Sequence, residues 1–243
     1  QYSYQRLKEL MQNPMVFEAQ YQQNPQTVKG QVIDTDWFKY YNKSDIWSAD
    51  PKIRLDLIMI FADTGSKKTK KSDYSVFGIC GKSGKDMYIL DWHRNKISSP
   101  EIRRLALSLW EKWGNNRSSL AWCKGIGIED RSSGIGLIQD LQELKSVPVY
   151  PIKAELDKVA RIERCTYLIK EGHVHLPEGP MYAWVPCFLE ECKSFTRDDS
   201  HRHDDQVDVF GYAMYELLGK HINSIYDVLY TPYEVKNMNY PQF

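Results

Sequence analysis

No apolar run in this chain of 243 residues approaches the roughly 20 residues that a membrane-spanning helix needs, and no basic segment followed by an apolar stretch opens it. The expectation is a soluble, non-exported protein working in a cytoplasm, with no membrane partner. An excess of charge is missing too: 32 basic residues stand against 32 acidic ones. The usual electrostatic footprint of a nucleic-acid binder is therefore absent from the total, and only local distribution could supply it. Cysteine is scarce and odd in number, at Cys80, Cys123, Cys165, Cys187 and Cys192, which fits reduced thiols better than a disulfide framework. No Ser/His/Asp or Cys/His pattern has persuasive spacing, so covalent catalysis lacks a candidate nucleophile. Gly81-Lys82-Ser83 imitates the end of a phosphate-binding loop, but Val76 stands where that loop needs its first glycine. The chain begins at Gln1 instead of a methionine, as expected of a piece of something longer.

What is present is an ordinary globular composition, 42% hydrophobic and 26% charged, sufficient for one large domain with extensions. Residues 1–50 read as an N-terminal lead-in or linker segment. A short helical pattern (Leu7, Leu10, Met11, Val16, Phe17) breaks at Pro14, a polar stretch runs to Gly30, and Trp37, Phe38, Tyr40 and Tyr41 are expected to pack on the outside of the domain. The domain proper is expected over 51–218. Apolar runs at 55–63, Tyr74–Cys80 and Met87–Trp92, with a turn over Gly81–Gly84, predict an antiparallel three-stranded meander. Helical spacing follows from Pro100 to Gly114, a short strand at Ile126–Glu129, a helix over Ile135–Leu144 and a strand at Val147–Ile152. A helix over Asp157–Glu171 stops at Gly172 and gives way to a brief strand, His173–Leu176. Helices over 183–195 and Asp204–Leu218 complete the core, and the aromatic-rich tail 219–243 follows it. The order β-β-β-α-β-α-β implies an α/β fold with a mixed sheet, three antiparallel strands then parallel ones, and helices on both faces. That is the ribonuclease H-like order.

Three acidic positions stand at the ends of this scaffold: Asp63 after Leu57–Ala62, Glu129 after Gly125–Ile128, and the cluster Asp204-Asp205-Gln206-Val207-Asp208. In such a sheet the first and fourth strands are parallel neighbours, and a helix opened by the cluster can pack across them. Converging carboxylates favour hard cations such as Mg²⁺ or Mn²⁺. A pair of such cations is what two-metal phosphodiester hydrolysis uses, with no nucleophilic side chain. Each acid also has a plainer role: Asp63-Thr64-Gly65 as a turn, Glu129-Asp130 ahead of a helix, Asp204 as an N-cap. Asp205 and Asp208 share a helix face, as do Asp204 and Asp208, and spacing alone does not choose between Asp204 and Asp205.

The segments Gln20–Pro25, Phe61-Ala62-Asp63-Thr64-Gly65 and Ile128-Glu129-Asp130, with Ser133-Gly134 and Leu137-Ile138, come in a telling order. Lys158 with Arg161, Gly172-His173-Val174 and His203–Asp208 continue it. In this set the chain resembles the nuclease domain of the large terminase subunit of tailed double-stranded DNA bacteriophages, over about residues 20–218. The resemblance implies a Mg²⁺- or Mn²⁺-dependent endonuclease that cuts concatemeric viral DNA during packaging, in the host cell cytoplasm. Asp63, Glu129 and Asp205 match the metal-binding acids and Asp208 a further acidic position near the metals. A packaging ATPase upstream in the same polypeptide, a portal and a small terminase subunit are the implied partners.

Other candidates are weaker. Lys67, Lys68, Lys70 and Lys71 form a basic loop after Asp63, a phosphate contact or a solvated turn. Lys158 and Arg161, one turn apart, either contact phosphate, hold an acid or make a surface ion pair. Cys187, Cys192, His201 and His203 have poor spacing for zinc. The tail carries Tyr226, Tyr230, Tyr233, Tyr240 and Phe243 and reads as packed on the domain or as a docking segment. Two rival functions are an actin-like ATPase, which should repeat a glycine-rich phosphate hairpin that is not found, and a noncatalytic DNA-binding or motor-docking module.

Overall fold

The computed structural model of the chain describes residues 31–65, 74–114, 121–153, 157–198 and 203–219. The expected helical pattern within 1–30, the lysines at 67–71 and the tail beyond 219 lie outside the described residues.

Strand β1 (Lys39–Tyr41) and a single helical turn, α1 (Lys43–Ile46), come first. The apolar runs then form β2 (Leu57–Asp63), β3 (Ser75–Ser83) and β4 (Asp86–Asn95), each paired antiparallel with the next. Helix α2 (Ser99–Trp113) opens with a reciprocal Ser98–Glu101 capping box and Pro100 in its first turn, which satisfies N–H groups that a helix start leaves orphaned. Next are β5 (Cys123–Glu129), α3 (Ser132–Glu143), β6 (Val149–Ile152), α4 (Lys158–Lys170) and β7 (Val174–Pro177). Helices α5 (Val185–Ser194) and α6 (Asp205–Met214) complete the described chain, with a π-helical turn over Tyr215–Gly219. The seven strands lie in the order β1-β7-β4-β3-β2-β5-β6, with β5 parallel to β2 and β6 parallel to β5. This is the mixed ribonuclease H-like sheet expected from the strand order.

Strand alternation divides the interior into two cores. Leu57, Met59 and Phe61 of β2 join side chains of α4, α5 and α6, while Ile58, Ile60 and Ala62 join those of α2 and α3. Fully buried Phe61, Phe188 and Phe210 each contribute about 2–3 kcal/mol by removal from water. All ten residues of α6 are buried, so this helix is enclosed on every side instead of exposing a polar face.

Two sequence expectations change. The segment read as lying outside the domain adds β1 to the sheet edge, parallel to β7. The Tyr41 hydroxyl donates to the Ile89 carbonyl at 2.8 Å, and Phe38 meets Phe188 and Phe210 at centroid distances of 6.0 and 5.7 Å. The turn expected over Gly81–Gly84 tightens to Gly84-Lys85, flanked by the Ser83–Asp86 pair, with Gly84 at φ +57°, a left-handed conformation suited to a two-residue hairpin. Gly81-Lys82-Ser83 is therefore strand, and the Lys82 ammonium donates to the Leu217 carbonyl at 2.7 Å; no phosphate loop exists here. No described helix is long and apolar enough to cross a membrane.

Candidate active site

The parity of two strands decides where the acids point. In β2, Asp63 continues the series Leu57, Met59, Phe61 toward α4–α6. In β5, Ile126 and Ile128 face α2 and α3, so Glu129 faces the same side as Asp63. Ala62 and Ile128 are in register, which sets the two acids side by side at the carboxyl ends of parallel strands. Their carboxyl groups are close enough to raise the Asp63 pKa.

Helix α6 brings the third group. Asp205, Asp208 and Tyr212 stand at i, i+3 and i+7 and so share a face. The Tyr212 hydroxyl donates to Glu129 Oε1 at 2.6 Å. Arg161, only 4% exposed on α4, lays its guanidinium 3.9 Å over the Tyr212 ring and donates from Nη2 to Asp208 Oδ1 at 2.9 Å. Lys158 takes the other oxygen, with Nζ 2.6 Å from Asp208 Oδ2, and also donates to Asp204.

Asp204 occupies the N-cap position of α6 but makes no side-chain cap hydrogen bond. Its carboxylate turns to Lys158, and Glu191 of α5 performs the capping by accepting from the Gln206 N–H at 2.6 Å and from Gln206 Nε2 at 2.8 Å. In the Lys158–Asp204 bond both donor and acceptor carry charge.

Crowded acids mark the electrostatics. Burial pushes the Asp63 carboxyl up to about 8, helped by the charges of Glu129 and Asp208, the hydrogen bond with Glu129 and the charge of Asp205. Asp208 is also raised by burial, against the opposing pull of Lys158 and Arg161. Burial works against the Lys158 ammonium, yet Asp208 and Asp204 outweigh it and hold the group charged above its ordinary range.

Among the described residues, no trio of His, Cys, Asp or Glu side chains is set as a ready-made metal cage. The geometry gives the reason. Both oxygens of Asp208 are engaged by cationic side chains, and one oxygen of Glu129 accepts from Tyr212. The donor chemistry nonetheless fits Mg²⁺ or Mn²⁺, because the converging groups are carboxylate oxygens without a thiolate among them.

The strand ends are braced by neighbouring motif residues. Ser133 of α3 donates to the Thr64 carbonyl, and their hydroxyl oxygens lie 2.9 Å apart. A Cβ on Gly134 would stand 2.0 Å from the Glu129 carbonyl oxygen, so only glycine lets α3 abut the end of β5. Gly134→Ala is expected to push α3 outward and to cost about 1–3 kcal/mol in urea unfolding. Gly172-His173-Val174 lies at the far end of the sheet, where His173 Nδ1 meets Asp86 Oδ1 at 2.7 Å and fixes β7 against β4.

Several sequence candidates are relocated. Lys158 and Arg161 hold acids. Cys192 is fully buried while Cys187 of the same helix is exposed, and His203 lies edge-on to Tyr74; His201 is outside the described residues, and no zinc site forms among those described. Sequence reasoning missed Tyr212, which falls among core-spaced residues of α6, and missed a cationic cluster beside the acids. There Arg94 and Lys96, at the end of β4, lie 3.6 and 4.6 Å over the Tyr74 ring. His203 meets that ring at 5.4 Å and stands 4.0 Å from Asp205. Arg94 is further tied to Glu191 at 3.3 Å.

Known proteins share the fold. Residues 60–217 match the model of the terminase RNaseH-like domain. No curated protein sequence matches. The large terminase of a thermophilic bacteriophage, in complex with ADP, superposes with a TM-score of 0.64 at 15% identity, covering 90% of this chain and 53% of that one. The chain thus spans about half the length of that terminase. The large terminase nuclease of thermophilic phage G20c with bound magnesium gives 0.52 at 20% identity, covering 76% of this chain and 96% of that one. The human cytomegalovirus terminase nuclease domain gives 0.58 at 14% identity, with 79% and 94% covered. Those identities speak to fold alone, while the family match takes in β2 through α6, the elements that carry all four acids. On that match, the chain belongs to the terminase RNaseH-like domain family.

Proposed function

We propose that this domain is a divalent-metal-dependent endonuclease that cuts concatemeric viral double-stranded DNA during genome packaging. The observation that carries the reading is the convergence of Asp63, Glu129, Asp205 and Asp208 from β2, β5 and α6 on one sheet end. Asp63, Glu129 and Asp205 would hold two Mg²⁺ or Mn²⁺ ions, and Asp208 supports them from its ion pairs with Lys158 and Arg161. Bound there, the ions would lower the pKa of the attacking water and offset the charge that builds on the scissile phosphate. The protein's own part is to keep Asp63 and Glu129 on rigid strand ends, to present Asp205 from the first turn of α6, and to hold Asp208 against compensating cations.

We assign phosphate contact to the cationic edge around Tyr74 in place of Lys158 and Arg161, with the lysines at 67–71 as further candidates. Lys96→Ala is expected to weaken DNA binding in Ca²⁺ and to reduce the slope of log K against log salt by about 1. An unchanged slope removes Lys96 from the contact. Such contacts position DNA without reading bases, so cutting with little sequence preference follows.

In this reading the nuclease domain covers 51–218 together with β1 and its neighbouring core residues, and the chain ahead of them leads in from a packaging ATPase of the same polypeptide. The segment 219–243 is left to dock a packaging partner such as the portal or the small terminase subunit, all in the host cell cytoplasm. Incubation with plasmid DNA is the test: cleavage in Mn²⁺ or Mg²⁺ and none in EDTA is expected. A folded protein that never cuts under any divalent cation would instead be a noncatalytic docking module.

A further inference from the structure

The acidic site has an internal strut that links two of its acids through side chains outside the acid set. Glu129 is long and flexible, and it ends a strand beyond which the ladder gives it no further support. One of its oxygens is held at 2.6 Å by the Tyr212 hydroxyl. Tyr212 is 3% exposed and sits on the same helical face as Asp205 and Asp208. Its ring is clamped by the Arg161 guanidinium at 3.9 Å, and Arg161 donates to Asp208 at 2.9 Å. The path Glu129–Tyr212–Arg161–Asp208 therefore closes on itself through α6.

We infer that Tyr212 is a positioning residue for cation binding, fixing the Glu129 carboxylate relative to α6 through a rigid aromatic ring locked by Arg161. The inference rests on the nuclease reading, because it assigns to the acids the task of holding metal. Hydrogen bonds to a ligating carboxylate orient it and maintain its basicity, and their loss typically lowers metal affinity about 10- to 100-fold.

Tyr212→Phe removes only the hydroxyl and keeps the ring against Arg161, so the fold is expected to persist, as a circular dichroism melt would verify. Mn²⁺ titrated calorimetrically into parent and variant should bind the variant about 10- to 100-fold more weakly. The Mn²⁺ concentration giving half-maximal cleavage should rise by the same factor, while KM for DNA stays unchanged. A purely structural role would not move the metal dependence selectively. If the parent binds Mn²⁺ and the variant binds it equally well, the positioning role is overturned and the nuclease reading stands. If the parent itself binds no Mn²⁺, both fall.

Discussion

Asp63→Asn is expected to abolish DNA cleavage while making the metal-free protein more stable. On the proposed function, the loss follows from removing an oxygen that would hold a cation at the centre of the site, with a rate decrease of roughly 10³-fold or more. The gain follows from the crowding of acids. The Asp63 carboxyl is raised from 3.8 to about 8 by burial and by Glu129, Asp208 and Asp205. A folded-state value above the unfolded one means that folding favours the protonated form. This contribution therefore supports the native state below about pH 4 and is lost as pH rises through about 8. An asparagine carries no charge to lose, so at pH 8 the variant should gain on the order of 2 kcal/mol in urea unfolding and lose part of the parent's pH dependence. Mg²⁺ or Mn²⁺ should raise the parent's melting temperature in this range, by displacing the proton, and should do so far less in Asp63→Asn. A variant that melts below the parent at pH 8 would contradict the electrostatic account.

Arg161→Ala carries the largest expected loss of stability. Its guanidinium is nearly inaccessible, pairs with Asp208 and covers the Tyr212 ring. Removing Arg161 takes away one of the two cations on Asp208, leaving Lys158, and uncovers the Tyr212 ring, at a cost of up to about 3–5 kcal/mol. For a chain of this size that corresponds to a fall in melting temperature of roughly 6–20 °C. Asp208→Asn in the same chain deletes the charge left with Lys158 alone and should recover part of the loss, a coupling that a double-mutant cycle measures. The salt dependence of DNA binding should be untouched by Arg161→Ala, measured at a temperature where the variant is folded. A slope reduced by about 1 without destabilisation would restore Arg161 to the phosphate contacts.

The two predictions show where sequence reading stops. Asp63 and Glu129 could be found because each ends a long apolar run, and a strand's period of two then fixes the face. The meander and the later helices were legible for the same reason. Strand β1 was not, since three residues, two of them tyrosines, are too short to register a period. The sequence left Lys158 and Arg161 open between phosphate contact, holding an acid and a surface ion pair, because spacing along α4 reports only that they share a face. What they pair with lies 46 and 47 residues away in the chain. Asp204 carried a strong local signal for a cap, overridden by the Lys158 ammonium above it and by Glu191 arriving from α5. Tyr212 was hidden most completely: an aromatic at core spacing on a helix reads as packing, and only the fold reveals that its hydroxyl ends on Glu129.

The central claim is that Asp63, Glu129 and Asp205 converge to hold divalent cations, with Asp208 in support. Crystals soaked in Mn²⁺ and measured at the manganese absorption edge test it most directly. The account predicts anomalous peaks within bonding distance of Asp63, Glu129 and Asp205 carboxylate oxygens. Saturating Mn²⁺ that leaves those carboxylates bare, or peaks confined to other parts of the surface, would contradict it.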